Sequence, residues 1–516
     1  MYQYKWIPGG LAPPELVESM ADLYSTQYGI WGNQGLHPGQ PVKLTPERIR
    51  KSWLSPRHSR VVWATAFGKL IGYAIAVQTH LADYGMVSWV TQLVVHEEHR
   101  RSDVGKTLLF TIWQFTDHFA WGLITANPFA IRALEKATRR RCSPARIVEH
   151  RDVITSLGIR VVPYVEPSTP TIITTCESRV NTAFFLDHSG LQDMLLSAQN
   201  ENKPWSMGPL QEGWEWFAFT FRDQQQIELT RKEIEQMLLA SDAVTKHAYS
   251  RMVGQHPWAK HTDSEVRFVV DNCSIHDRSS VLDFGCGSGR HAIGLAKLGA
   301  RVVGVDYLES FIAIARSEAS SQSLNNVTFD LADCRDVEIE EMFDVGICLY
   351  DVVGSYADDH DNSQVLKNLV RHIKPGGYVL LSVMNMELTE RRAKHWFSID
   401  LEPDKLLTLR PSDTMEKTGN VFDPDHYLID HKTRIVYRKE QFAEGAELPE
   451  ELLVRDRRYT KEEIESLCQR LGLELVWTRF VRAGAWHQPL SRLDDHAKEI
   501  LVLCKTSSTE TDVLFP

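Results

Sequence analysis

Cysteine, long apolar runs and excess positive charge are all scarce in this sequence. Its eight cysteines, at positions 142, 176, 273, 286, 334, 348, 468 and 504, form no C-x-x-C pair, which argues against a zinc framework or a disulfide scaffold. Several fall on apolar, strand-like runs and are expected as small core residues in a reducing, cytoplasmic setting. No apolar stretch reaches the ~20 residues that a bilayer crossing requires, and the first ten residues lack a basic region followed by an apolar core. Lysine and arginine number 57 against 68 aspartate and glutamate, a net charge of −11. That balance opposes broad electrostatic attachment to nucleic acid or anionic lipid. No internal repeat or low-complexity linker is present. The 516 residues, 43% of them apolar, suffice for two or three domains.

What is present is a glycine-spaced loop between two strand-like runs. Apolar residues ending at Leu282 read as a buried strand. The segment DFGCGSGRHA follows over 283–292, and its alternate Gly285, Gly287 and Gly289 let backbone N–H groups approach a ligand before a helix begins. Asp283 and Asp306 then stand at the ends of consecutive strands. A dinucleotide fingerprint needs a small residue at its sixth position, where this loop carries Arg290.

This segment resembles the first two motifs of class I S-adenosylmethionine-dependent methyltransferases, in their small-molecule branch. Further matches follow in order: Leu331 to Cys334 after a third strand, Phe343 to Tyr350 as a fourth, and the turn from Ile373 into a fifth. The resemblance covers about residues 245 to 505 and implies a Rossmann-like, doubly wound parallel sheet. It implies S-adenosyl-L-methionine as cofactor, with Asp283, Gly285, Gly287, Gly289 and Asp306 around it and Tyr307, Asp333, Cys334 and Leu349 alongside. Tyr249 and Arg251 match the family's capping helices, where an aromatic residue and an arginine close over the cofactor; a plain packing role is the alternative. Tyr350, Asp351 and His360, after the fourth strand, face the acceptor by topology and are candidates to take its proton, with a structural role as the other reading. Between about 386 and 460 two alternating runs interrupt the parallel rhythm and suggest an antiparallel insert over the site. The branch's similar inserts form substrate lids, which favours a small-molecule acceptor.

The first half carries a second ordered set. Arg60 to Phe67 and Ile71 to Val77 read as strands around a Gly68 turn, Trp89 to Val95 as another strand, and a charged loop then leads into a helix from Val104. These residues resemble the GNAT acetyltransferases, whose R-x-x-G-x-G loop binds the pyrophosphate of acetyl-CoA. Arg100 and Gly105 match that loop, and Arg101, Val104 and Lys106 belong to it. Leu93 and Val95 on the strand before it, and Asn127 after a later strand, complete the acetyl-CoA set that the resemblance implies. Asp103 departs from the pattern by placing a carboxylate where phosphates would sit, and Leu134 stands where many members carry a tyrosine. Glu97 and Glu98 are candidate bases in a loop that reads equally as a solvated surface.

The expected architecture is therefore α/β throughout. A GNAT-like mixed α/β domain spans 1–175, a connecting region 176–244, and a methyltransferase domain 245–516. In the connecting region, Gly213 to Phe221 is an aromatic, core-forming strand. Arg139, Arg140, Arg141 and Arg146 form the densest basic cluster, read either as favourable to a helix end or as a phosphate contact. Three functions stay open: a bifunctional methyl- and acetyltransferase on a small-molecule amine or hydroxyl, a methyltransferase with a non-catalytic acyl-CoA or substrate-binding module, or modification of RNA, DNA or protein. The acidic total opposes a nucleic-acid partner. No metal and no membrane are expected.

Overall fold

The computed structural model describes residues 2–199, 203–250, 257–412, 421–442 and 450–507. The chain divides into two compact units, Met1–Val244 and Thr245–Pro516. None of the helices among the described residues is long and apolar enough to cross a membrane.

Unit 1 is built on one sheet of eight strands: β1 (Tyr2–Pro8), β2 (Ser59–Ala66), β3 (Lys69–Leu81), β4 (Gly85–Val95), β5 (Ala120–Thr125), β6 (Thr171–Ile173), β7 (Ser178–Phe184) and β8 (Gly213–Phe221). Their order is β1-β2-β3-β4-β5-β8-β7-β6. Every junction is antiparallel except β4 with β5. The hairpin between β2 and β3 turns through Phe67 and Gly68, both at positive φ (49° and 75°), the two-residue geometry that matches strand twist. Residues 176–244, expected as a connecting region, instead supply β7 and β8 to this sheet. The aromatic run of β8 pairs with β5 from Ala120↔Phe221 to Thr125↔Trp216 and buries seven of its nine residues in succession.

Alternation along β3 sets the layers. Tyr73 packs into the core built with the helix Pro14–Gln27, whereas a side chain at Gly72 would point at Val104 and Leu108 of the helix Val104–Trp113. The two helices therefore lie on opposite faces. Past Val90↔Leu123 the pairing of β4 with β5 stops, although β4 runs on beside β3 to Val95 and β5 beside β8 to Thr125. Thr91 is left without an opposite residue on β3, a bulge that bends β4 at the point where the strands part. A wedge opens between two parallel strands, beside the N-terminus of the helix Val104–Trp113.

Unit 2 carries β9 (Ser280–Phe284), β10 (Arg301–Asp306), β11 (Val327–Leu331), β12 (Phe343–Cys348) and β13 (Ile373–Met384), an insert of β14 (Trp396–Phe397), β15 (Tyr427–Asp430), β16 (Val436–Phe442) and β17 (Glu450–Asp456), then β18 (Leu473–Val481) and β19 (Glu499–Thr506). The main sheet runs β11-β10-β9-β12-β13-β19-β18, and the insert forms a separate sheet β14-β15-β16-β17. The first five strands of the main sheet are parallel to one another, and β19 runs antiparallel to both of its neighbours, β13 and β18. Strand order reverses between β9 and β12, so loops from their carboxyl ends diverge around a crevice. Apolar side chains on one sheet face pack with the helices Thr262–Asn272 and Arg290–Lys297, and those on the other with the helices Asp359–Arg371 and Lys461–Arg470.

A side chain at Gly122 on β5 would overlap the ring of buried Phe219. Gly122→Ala is expected to lower the stability of unit 1 by about 1–3 kcal/mol through overpacking. Urea unfolding followed by circular dichroism reads this as a lower midpoint at an unchanged slope.

Candidate functional site

The carboxyl ends of β9, β10 and β12 bring together most of the residues singled out in the second half of the sequence. After β9 the chain turns through Gly285, Gly287 and Gly289 at φ of 69°, 54° and 79°, a left-handed conformation that glycine adopts at no steric cost. The N–H groups of Gly285 and Cys286 donate to the Val305 carbonyl at 2.8 and 3.0 Å. The Gly287 N–H donates to Asp306 Oδ2 at 3.0 Å, and the Leu308 N–H to Asp306 Oδ1 at 2.9 Å. Asp306 thus clamps the glycine loop to the end of β10. Burial raises its carboxyl, and the N–H groups of Leu308, Gly287 and Tyr307 together with Lys246 oppose that rise.

The three glycines serve different ends. A side chain at 285 would run into Val352, and one at 289 would come within 2.7 Å of Phe329 and 3.0 Å of Ala315. At 287 nothing lies within 4 Å among the described residues, which leave this face of the loop open. Asp283 is 3% exposed; the Ala292 N–H faces its carboxyl, and its Oδ2 has no hydrogen-bond partner among the described residues. Burial, reinforced by Asp306 and opposed by Arg290, pushes its carboxyl up to about 7. An open glycine face beside an orphaned buried acceptor fits a ligand that brings its own donors.

Other expected residues hold different places. Asp333 is gripped by Arg335, with Nη2 to Oδ2 at 2.7 Å, and Arg335 lies over the Tyr356 ring at 4.9 Å. Lys246 lies 3.7 Å above Tyr356 and 5.7 Å from Tyr307, which is itself exposed. The Cys334 thiol is buried against the Val305 carbonyl, and Leu349 is buried in the core. Arg251 lies outside the described residues, as does the Tyr249 side chain. His360 is exposed at the start of its helix.

Tyr350 and Asp351, directly after β12, both adopt positive φ (58° and 65°). Two consecutive non-glycine residues in this region are strained and are held there by their surroundings. Tyr350 donates its hydroxyl to Glu265 Oε1, and its N–H bonds Ser382 Oγ at 2.6 Å. Asp351 goes to the insert side. Its Oδ1 accepts from the Met384 N–H at 3.2 Å, and burial with the nearby Asp456 holds its carboxyl well above the usual range. Asp456 is in turn held by Arg438 at 2.6 Å and Arg458 at 3.1 Å. This arrangement ties the insert to the end of β12.

Sequence reasoning missed Glu265 on the helix Thr262–Asn272. It is 1% exposed and meets Arg290 at 2.7 Å and His291 at 3.0 Å. Burial alone would raise its carboxyl, but the His291 hydrogen bond and the Arg290 charge outweigh burial and hold it at about 2. His291 is lowered to about 4 by burial and Arg290. Near neutral pH the cluster therefore holds an ionised Glu265, a neutral His291 and a charged Arg290.

In unit 1 the expected residues gather only in part. Leu93, Val95 and Gly105 meet where β4 crosses the helix Val104–Trp113: a side chain at Gly105 would lie 3.9–4.0 Å from Val95 and Leu93. Val104 is buried beside them. Arg100 donates to the Val95 and Gln27 carbonyls at 3.0 and 2.6 Å, and Arg101 lies over the Phe129 ring at 5.5 Å. Lys106 is 2% exposed and pairs with Asp103 at 3.2 Å, while Lys136 bridges Asp103 at 3.3 Å and Glu233 at 2.8 Å. Of the cations expected for phosphates, Lys106 is thus taken by the chain's own Asp103. Asn127 caps the helix Pro128–Thr138 by accepting from the Phe129 N–H. Glu97 and Glu98 lie exposed on a short turn. A buried Glu215 on β8, pushed up to about 7 by burial and close enough to Tyr24, Tyr28 and Tyr164 to raise their phenols, was missed. Its sequence signal was a lone acid inside an aromatic strand.

Arg139 and Arg140 of the basic cluster are buried, and Arg141 and Arg146, nearer the surface, are held by acids. Arg140 donates to the Arg222 carbonyl and lies over Trp121 at 5.4 Å, Arg141 pairs with Glu135, and Arg146 with Glu149 and Asp223. No group of three histidine, cysteine or acidic residues fit to hold a metal occurs among the described residues.

Residues 281–377 match the family model described as "Methyltransferase domain". The matched residues lie within unit 2. Two curated relatives, both named ubiquinone biosynthesis O-methyltransferase, are similar to part of the chain. That of Coxiella burnetii (strain Dugway 5J108-111) is 38% identical over 111 residues, 20% of this chain and 43% of that protein. That of Rickettsia prowazekii (strain Madrid E) is 36% identical over 117 residues, 23% and 44% respectively. The chain thus spans less than half the length of these relatives. Among solved structures, the CcbJ methyltransferase from Streptomyces caelestis is 17% identical with a TM-score of 0.38, covering 48% of this chain and 89% of that one. An S-adenosylmethionine-dependent methyltransferase from Clostridium acetobutylicum ATCC 824 is 17% identical at a TM-score of 0.34, with 48% and 92% covered.

Asp283 supplies a stability test. Its folded carboxyl, at about 7, lies above the ~3.9 of an unfolded aspartate, so its favourable contribution is complete below that lower value and is lost as pH rises toward 7. Asp283→Asn is expected to stabilise the protein more at pH 8 than at pH 5, by about 2 kcal/mol. Denaturant midpoints at the two pH values check this.

Proposed function

We propose that unit 2 binds S-adenosylmethionine at the glycine loop and methylates a small-molecule acceptor. The observation that carries this is the Asp306 clamp, which fixes Gly285 to Gly289 with, among the described residues, the Gly287 face open and the Asp283 Oδ2 unpartnered. When bound, this group supplies an electrophilic methyl on a sulfonium. The residues of the chain then have to position and shield. Asp306 keeps lone pairs beyond those that take the loop N–H groups, and these suit the donor's hydroxyls. Tyr307, exposed beside Lys246, offers a face for a flat ring. Tyr350, held by Glu265, borders the place where an acceptor would lie within ~3–3.5 Å of the methyl.

Unit 1 supports a second reading, an acyl-CoA module. The wedge past Val90↔Leu123 exposes an unpaired edge of β4, suited to an extended, amide-bearing chain laid along it. Against it stands Asp103, whose carboxylate already engages Lys106 and Lys136. Acetyl transfer to the same acceptor would make the chain bifunctional; binding without transfer would make unit 1 a sensor or substrate module.

Calorimetry with S-adenosylmethionine tests the first reading. Binding is expected and should weaken at least about tenfold in Asp306→Ala, the scale of one or two charge-assisted hydrogen bonds. No heat with folded protein, or unchanged affinity in the variant, overturns it. Coenzyme A titration tests the second reading: Asp103→Asn, which removes a like charge, is expected to raise affinity about three- to tenfold.

A further inference from the structure

Besides Asp333, Asp351 and Glu265, the carboxyl edge of unit 2 holds a further acid that the glycine loop does not use, Glu499. Glu499 opens β19, opposite Met384 of β13 and Val481 of β18. Leu501 and Leu503 on the same strand belong to the core shared with the helices Thr262–Asn272 and Arg290–Lys297. Strand alternation places the Glu499 side chain at the rim of that face. There its Oε2 accepts from Trp486 Nε1 at 3.0 Å. The Trp486 ring lies 5.8 Å from Tyr350 and 6.2 Å from His291. Among the described residues no lysine or arginine forms an ion pair with Glu499, whereas Glu265 is matched by Arg290 and His291.

Arg290 and Lys498 act on Glu499 through space, without an ion pair; a partly covered carboxyl group in that state, next to electron-rich rings, suits a positively charged nitrogen at contact distance. An acceptor deprotonated to an alkoxide would require positive charge at the same place. The guanidinium nearby, Arg290, is engaged by Glu265 and lies over the Tyr350 ring at 4.3 Å.

We propose that Glu499, backed by Trp486 and Tyr350, recognises the acceptor of unit 2, and that this acceptor carries a basic nitrogen arriving as an ammonium ion. The acceptor's fate rests on the methyl-transfer reading; its binding does not. In the proton step one ammonium N–H bond breaks, its electron pair stays on nitrogen, and the proton passes to a Glu499 carboxylate oxygen. A cation and an anion become two neutral groups, and the amine gains its nucleophilic pair. Burial pushes the Glu499 carboxyl up to about 7, with Glu265 adding to the rise and Trp486, Arg290 and Lys498 opposing it, so both of its forms are populated near neutral pH.

The test compares two amines, 2-phenylethylamine and hexylamine, with their neutral counterparts 2-phenylethanol and hexanol, on the full chain by saturation-transfer NMR and calorimetry. The expected result is a preference of about tenfold or more for an amine over its alcohol, the scale of one charge-assisted hydrogen bond. Glu499→Gln should bring that preference close to unity, and Glu499→Asp should keep most of it. No amine binding, equal affinity for amine and alcohol, or an undiminished preference in Glu499→Gln overturns the proposal. Titration of S-adenosylmethionine into the same samples separates the two readings. Absent donor binding in the wild-type chain overturns methyl transfer while the amine comparison still decides on Glu499. Wild-type donor affinity in Glu499→Gln confirms that its lost preference comes from the removed charge in a folded chain.

Discussion

The attachment of the glycine loop to the end of β10 is the constraint on which the candidate site depends. Burying a carboxylate costs several kcal/mol unless donors replace its water, and Asp306 takes the N–H groups of Gly287 and Leu308 in that role. Those bonds exist only because β9 and β10 pair in parallel with Phe284 beside Val305. They also require the loop to pass through left-handed conformations at 285, 287 and 289. Val352 closes the space at Gly285, and Phe329 and Ala315 close it at Gly289. Among the described residues, what stays open is the surface of Gly287, so the same packing that fixes the loop decides from which side a ligand reaches it.

The loop was legible in the sequence because its determinants are local. Alternate glycines after an apolar run, then a second run ending in Asp306, report backbone conformation and strand ends directly. Strands in the first half were legible for the same reason, down to the Phe67–Gly68 turn. Their partners were not. The run Gly213 to Phe221 reads as a buried strand from its aromatic residues, but nothing in it says that it pairs with β5, some 90 residues earlier. Long-range pairing is written in the shape of the completed sheet, and so 176–244 looked like a connection when it is half of the sheet's far side. The wedge between β4 and β5 was equally hidden, since it arises where a parallel pairing stops and no residue type marks that point.

Charged residues were the least legible, because a sequence shows a charge without its partner. Arg139 to Arg141 looked like a basic patch, but Arg140 turns in to a carbonyl and the Trp121 ring, and Arg141 to Glu135. Asp351 sat at the right strand end for proton transfer, but the insert, through Asp456, Arg438 and Arg458, claims its surroundings. Lys106 matched a phosphate-binding loop, and Asp103 three residues earlier already satisfies it. In each case the partner is distant in sequence or of a type that is ordinary by itself.

The carboxyl edge of unit 2 shows how one fold can keep neighbouring acids in different protonation states. Glu265 and Glu499 border the same aromatic group, but Arg290 and His291 both pair with Glu265, whereas Glu499 accepts one indole N–H and meets Arg290 and Lys498 only through space. The first is held ionised far below neutrality while the second titrates close to it. Arg290 stands in the first turn of its helix, where the dipole disfavours a cation. Its ion pair with Glu265 and its place over Tyr350 offset that cost. Because Arg290 is committed there, neither Asp283 nor Glu499 receives a full counter-charge. Divergent environments for adjacent acids are the physical basis for assigning one to structure and the other to proton exchange. A ligand's own positive charge would then complete what the chain leaves uncompensated.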